Sequence, residues 1–192
     1  MKNHIYDQLN ESISVQNKIL EDESLIDEIE KASFKCVEIL KKGNKILLAG
    51  NGGSAADSQH IAGELVSRFA FDRPGLSAVA LTTDTSIITA VGNDYGYESL
   101  FSRQIQALGN EGDIFLAYST SGESPNILKA LEEAKNNKIV SIGMTGSRKG
   151  SMNKLCDFLI EIPSIDTPKI QEGHLVVGHI ICGIIEKEIF GK

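Results

Sequence analysis

Five short apolar runs recur along this chain, near residues 45–49, 77–81, 113–118, 138–143 and 157–161. Helix-like runs separate and follow them, near 54–69, 85–91, 97–108, 125–136, 149–155 and 168–190. This alternation constrains the fold more than any other feature, because parallel strands need long crossovers and the crossovers are usually helices. Runs such as Lys45-Ile46-Leu47-Leu48-Ala49 and Ile114-Phe115-Leu116-Ala117-Tyr118 show little polar alternation. They suit strands covered on both faces, hence an α/β fold with a mostly parallel sheet wrapped by helices.

Residues 3–42 read as helical. Ile13, Val15, Ile19, Leu20, Leu25, Ile26, Ile29, Ala32, Val37 and Leu40 recur at roughly helical spacing, with charges between them, and Gly43-Asn44 ends the region. The chain has 192 residues and no internal repeat, linker or low-complexity stretch. Residues 1–192 therefore read as one domain, with 1–42 packing on that domain or on a partner subunit.

The net charge is −7 and no basic run stands out, which argues against nucleic acid as the main ligand. Three cysteines, Cys36, Cys156 and Cys182, are an odd number with no C-x-x-C spacing. They read as reduced, buried thiols of a cytosolic protein rather than as disulfides or zinc thiolates. The N-terminal stretch has no apolar signal-peptide core, and no run approaches membrane-spanning length. The expected location is the cytoplasm, without a membrane partner.

Two Ser- and Gly-rich loops follow apolar runs and open helix-like runs. They are Gly50-Asn51-Gly52-Gly53-Ser54 and Ser119-Thr120-Ser121-Gly122-Glu123-Ser124. Backbone N–H groups and hydroxyls at the positive end of a helix dipole form a ready phosphate site. The first loop lacks the G-x-G-x-x-G spacing of a dinucleotide fingerprint and the lysine of a P-loop. Its simplest local role is a turn in which Ser54 caps the helix and Asp57 completes a capping-box-like pair. The second is more specific, because an N-cap needs one hydroxyl and this loop has four, followed by Pro125 at a helix start.

His60 and Glu64 lie at i, i+4, on one helix face, and the C-terminal run carries Gln171, Glu172, His174 and His179. From spacing alone two readings stand. These side chains share a divalent metal or act as an acid–base pair, or they form a surface pair and a hydrogen-bonded core histidine. Gln171 and His179 are eight residues apart, about 12 Å along an ideal helix. Both reach one ion only at full side-chain extension, with an unwound helix end, or with one supplied by a second subunit.

The segments GNGGSAADSQHIAGEL, LTTDTSIITAVGNDYGYESLFSRQI, STSGESPNILKAL and IQEGHLVVGHIICGIIE together resemble the bacterial phosphoheptose isomerases, which are sugar-isomerase (SIS) domain proteins. The likeness runs nearly end to end. It implies a three-layer αβα, flavodoxin-like fold with a five-stranded parallel sheet, assembled as a homotetramer with active sites between subunits. It implies interconversion of sedoheptulose 7-phosphate and a manno-heptose 7-phosphate, on the way to the heptose of lipopolysaccharide or capsule. On the matching positions, Asn51, Gly52, Gly53, Asn93 and Asp94 contact substrate, and Ser119, Thr120, Ser121 and Ser124 hold the phosphate. His60, Glu64, Gln171 and His179 match a zinc site of one Zn2+ per subunit, with Glu64 and His179 as the acid–base pair and Gln171 also near substrate.

Three positions depart from the family pattern: Glu123 inside the phosphate loop, Gly173, and Pro168-Lys169 before Ile170-Gln171. A carboxylate at 123 weakens phosphate binding unless it points away. A non-catalytic tetrameric SIS adaptor that binds the replication initiator is the main alternative, and the retained Glu64 and His179 favour the enzyme. A sugar-phosphate sensor fused to a DNA-binding module is disfavoured, since no helix-turn-helix fits in 1–42 beside the expected helices.

Overall fold

The computed structural model describes residues 1–148 and 150–191. Its core is a five-stranded, all-parallel sheet of β1 (Ile46–Ala49), β2 (Ala78–Ala80), β3 (Ile114–Tyr118), β4 (Val140–Gly146) and β5 (Phe158–Ile162), in the order β2-β1-β3-β4-β5. The α-helices are α1 (Lys2–Glu21), α2 (Glu23–Lys41), α3 (Gly53–Val66), α4 (Thr85–Tyr95), α5 (Leu100–Leu108), α6 (Pro125–Asn136) and α7 (Thr167–Phe190). Every strand expected from the apolar runs is present.

Side-chain alternation along the strands divides the core in two. Ile46, Leu48, Ile114, Leu116, Ile142 and Ile160 face the layer of α1, α2, α3 and α7. Leu47, Ala49, Phe115 and Ala117 face the layer of α5 and α6, with Phe101, Ile105, Ile127 and Leu131. Both sets are buried, which is why the runs read as continuously apolar.

The N-terminal helical region divides at Asp22, whose side chain accepts a hydrogen bond from Leu25 N (3.0 Å) and so starts the second helix. Two local expectations differ from the structure. Ser54 does not cap α3. The cap position is Gly52, at φ +57, with no side-chain cap bond, and Ser54 lies buried inside the first turn. The positive φ of Gly52 lets the chain turn from strand into helix without a cap residue, so the capping-box expectation fails. The run at 149–155 is a 3-10 turn at Ser151–Lys154, and Lys149 lies outside the described residues.

β1 pairs with β2 on one side and β3 on the other, so the strand order reverses at β1. The loops leaving the carboxyl ends of β1 and β3 flank that reversal, where open α/β sheets bind ligands. They are the two Ser/Gly loops. All three cysteines are unpaired, and burial pushes each thiol up to about 12. Among the described residues, no helix is long and apolar enough to cross a membrane.

Candidate active site

The two loops and the start of α7 line one cavity of about 280 Å³, walled by Asn51, Gly52, Gly53, Ser54, Tyr118, Ser119, Thr120, Ser124, Thr167 and Gln171. The loops are tied together across it. Asn51 and Asn126 exchange amide hydrogen bonds (3.0 and 2.8 Å), and the Tyr97 hydroxyl donates to Asn51 Oδ1 at 2.9 Å. Gln171 lies against Gly53, where an added Cβ would come within 2.6 Å of its amide nitrogen. Glycine at 53 therefore makes room for the side chain that α7 brings to the cavity.

In the second loop Ser119 Oγ lies 2.8 Å from Ser124 Oγ and accepts a hydrogen bond from Ser124 N at 3.3 Å. The Ser121 hydroxyl lies 3.4 Å from Ser119 Oγ and accepts from Glu123 N (3.2 Å), at the edge of the residues that line the cavity. The Glu123 carboxylate accepts from Ser151 N (2.7 Å) and Ser151 Oγ (2.9 Å). Its charge is thus directed to the turn after β4 and engaged there, which answers the concern raised by a carboxylate in this loop. Asn93 and Asp94 sit on the exposed face of α4, bonded to each other at 2.7 Å, and do not line the cavity.

The acidic and imidazole groups converge where α3 passes α7. His60 Nε2 lies 2.9 Å from His179 Nε2 and 3.4 Å from Glu64 Oε1. One ligand atom from each of His60, Glu64 and His179 falls within 4.8 Å of the others. Two ligand atoms about 2.05 Å from one tetrahedral ion lie about 3.3 Å apart; the 2.9 and 3.4 Å separations are close to that, and the shorter is also that of a hydrogen bond between the imidazoles. Gln171 sits two turns earlier on the same helix. α7 is helical from Thr167 to Phe190, so no unwound end carries Gln171 toward the triad. One helix turn before His60, burial raises the Asp57 carboxyl, with His60 pulling it back in part.

Sequence reasoning missed Asn126, Tyr97 and Thr167. Asn126 carried a weak signal as the residue after Pro125 in the first helical turn. Tyr97 and Thr167 carried none, because their places depend on how separate elements pack.

Beneath the cavity His174 is fully buried, with Nε2 3.2 Å from the Thr145 carbonyl. That contact requires a proton on Nε2. Burial pushes its pKa down from 6.5 to about 4, opposed by the Thr145 carbonyl. Between those values the unfolded chain takes up a proton that the folded chain refuses. Stability therefore falls as pH drops through that window, by about 3 kcal/mol in full. Urea unfolding at a series of pH values should show this loss, and His174→Gln should remove most of the slope. Equal slopes in the two proteins would show that another group titrates.

Fold and site together define an SIS-domain protein, and the family described as SIS domain matches this chain over residues 9–146. The phosphoheptose isomerase of Burkholderia pseudomallei is 63% identical over 98% of this chain and 96% of its own length. Phosphoheptose isomerase 2 of Campylobacter jejuni is 60% identical over 100% of this chain and 94% of its own. The structure of a phosphoheptose isomerase from Francisella tularensis matches with a TM-score of 0.92 at 38% identity, covering 96% of this chain and 97% of that one. The chain belongs to the phosphoheptose isomerase family.

Proposed function

We propose that this protein is an aldose–ketose isomerase that converts sedoheptulose 7-phosphate to D-glycero-D-manno-heptose 7-phosphate, supplying the heptose of lipopolysaccharide or capsule. The observation that carries this reading is the convergence of His60 and Glu64 on α3 with His179 on α7, the two helices that also bring Gly53 and Gln171 to the Ser/Gly cavity. High-identity relatives named phosphoheptose isomerase support it, and they weigh against the non-catalytic adaptor.

Isomerisation moves a proton between adjacent carbons through an enediolate. It needs a fixed substrate, a base for the proton, and a group that stabilises the developing oxyanion. In this reading Ser119, Thr120, Ser121 and Ser124 hold the phosphate. Asn51, Gly52, Gly53 and Gln171 position the sugar, and Asn93 and Asp94 reach it from α4. Glu64 takes the proton from C1 or C2, and His179 returns it at the neighbouring carbon or oxygen. His60, Glu64 and His179 would hold one Zn2+ per subunit, with Gln171 joining them at full side-chain reach or from a neighbouring subunit, and the ion would supply Lewis-acid polarisation of the carbonyl. The carboxylate of Glu64 is a stronger base the more loosely it is held there.

The active form is a homotetramer with active sites between subunits, in the cytoplasm, and residues 1–192 form a single domain. Exposed apolar stripes support the assembly. Ile5, Leu9 and Ile13 repeat every four residues on α1, each more than half exposed, and Val176 and Ile180 flank His179 on α7. Such faces gain free energy when another surface covers them. A partner seated on α7 would also close the side of the metal site that faces solvent in one chain.

The test is turnover of sedoheptulose 7-phosphate by the purified protein before chelation, after chelation and after zinc add-back. Loss on chelation and recovery with zinc is the expected result. Turnover indifferent to chelation would keep the isomerase and leave His60 and Gln171 as positioning residues. No turnover with any divalent metal, in an intact tetramer, would turn the reading to the adaptor.

A further inference from the structure

We infer that the buried Arg73–Glu186 pair is a positioning device that sets Glu64 on α3 and His179 on α7 at working distance from each other. This rests on the reading of Glu64 and His179 as the acid–base pair. Neither residue lines the cavity, yet the pair holds both sides of the triad at once.

On the α3 side, the helix ends at Val66, two residues after Glu64. Its last carbonyls have no intrahelical partner. Arg73 Nη2 donates to the Glu64 carbonyl at 2.8 Å and Nη1 to the Leu65 carbonyl at 2.6 Å, which also accepts from Leu76 N at 3.0 Å. Nη1 also reaches the carbonyls of Ser67 (3.2 Å) and Pro74 (3.0 Å). A cation at a helix C-terminus is favourable in its own right. The backbone that carries the proposed base is thereby held at its own carbonyl.

On the α7 side, Glu186 Oε1 accepts from Arg73 Nε (2.9 Å) and Phe69 N (3.0 Å), and Oε2 accepts from Ala70 N (2.7 Å). These bonds fix the start of the loop after α3. They bring the Phe69 ring to 5.5 Å from the His179 ring, tilted by 40°. Gly183, one turn beyond His179, faces that ring, and a Cβ there would stand in ordinary van der Waals contact with it, 3.4 Å from Phe69 Cε1. Phe190 closes the far side, its ring centre 5.7 Å from the Arg73 guanidinium carbon. The clip therefore reaches Glu64 through its backbone and His179 through Phe69.

The side chains are 2% and 1% exposed. Burying two charges rarely stabilises a protein more than apolar residues of the same shape. A geometric role accounts for the pair better than a stabilising one. Lysine cannot replace arginine in that role, because one ammonium cannot reproduce a planar fork aimed at several carbonyls.

The experiment measures kcat and KM for sedoheptulose 7-phosphate, zinc affinity by competition with a chromophoric chelator, and thermal unfolding. The variants are Arg73→Lys and the paired replacement Arg73→Met with Glu186→Leu, which removes both charges together. In each, kcat is expected to fall by about 10–100-fold, with KM within about twofold and zinc binding weakened by a similar factor, as for other supports of metal ligands. Should the paired replacement fail to fold, Arg73→Lys keeps the charge and still tests the fork. Wild-type kcat and zinc affinity in a folded variant would overturn the positioning role, as would a change confined to KM. Glu64→Gln, measured alongside, separates the two ideas. An inactive Glu64→Gln beside an unaffected Arg73→Lys defeats the positioning role alone, whereas an active Glu64→Gln defeats the acid–base reading beneath it.

Discussion

Replacing Glu64 with Gln is expected to lower kcat by about 10³-fold, within the range that a positioned general base supplies. The change keeps the shape of the side chain and removes its charge and basicity. Glu64 is half-buried near the end of α3, with Oε1 3.4 Å from His60 Nε2, and the phosphate-facing hydroxyls lie on a different loop. Binding of sedoheptulose 7-phosphate to the variant, read by calorimetry, should stay within about threefold of wild type, because the phosphate contacts are untouched. The assembly state should likewise be unchanged, and thermal unfolding should match wild type when both proteins are stripped of metal. Wild-type turnover in this variant would remove Glu64 from the mechanism.

The largest effect on stability should come from the opposite end of the sheet. Asp113, just before β3, is fully buried. Its carboxylate accepts from Lys45 Nζ (2.6 Å), Lys45 N (3.0 Å), Asn44 Nδ2 (3.1 Å) and Asn110 N (2.8 Å). Burial pushes its carboxyl up, and the hydrogen bonds from Lys45, Asn110 and Asn44 outweigh that and hold it below the usual carboxylate range. Asp113→Ala strands a largely buried ammonium and two backbone N–H groups. The expected loss is about 3–5 kcal/mol, read as a lower urea midpoint at matched protein concentration. Because the cavity lies at the carboxyl ends of the strands, kcat of the folded variant should match wild type. An unchanged midpoint would mean that the strand pairing holds without this carboxylate.

These substitutions mark the two ends of what was legible in the sequence. The five strands could be read from residues such as Leu47, Leu48, Phe115 and Leu116, because burial on both faces leaves no polar alternation. The two loops could be read because Gly and Ser after an apolar run have few other uses. Ser54 misled, since a serine after glycines is the usual mark of an N-cap, and only the backbone turn at Gly52 shows that no cap residue is needed. In the second loop the fold gathers three of the four hydroxyls, with Ser119 Oγ 2.8 Å from Ser124 Oγ and 3.4 Å from Ser121 Oγ, which also accepts from Glu123 N.

Periodicity and punctuation depend on neighbours a few residues apart, so the sequence alone determined the α/β class, the strand positions and the two loops. Distant contacts depend on strand order and helix packing, which no local pattern encodes. The meeting of His60 and His179, 119 residues apart, was therefore decided only by the tertiary structure. So was the clasp of Arg73 and Glu186, 113 residues apart, along with the engagement of Glu123 by Ser151. The reversal of strand order at β1 sets the two loops against one cavity, and the passage of α7 across α3 brings the triad to a point.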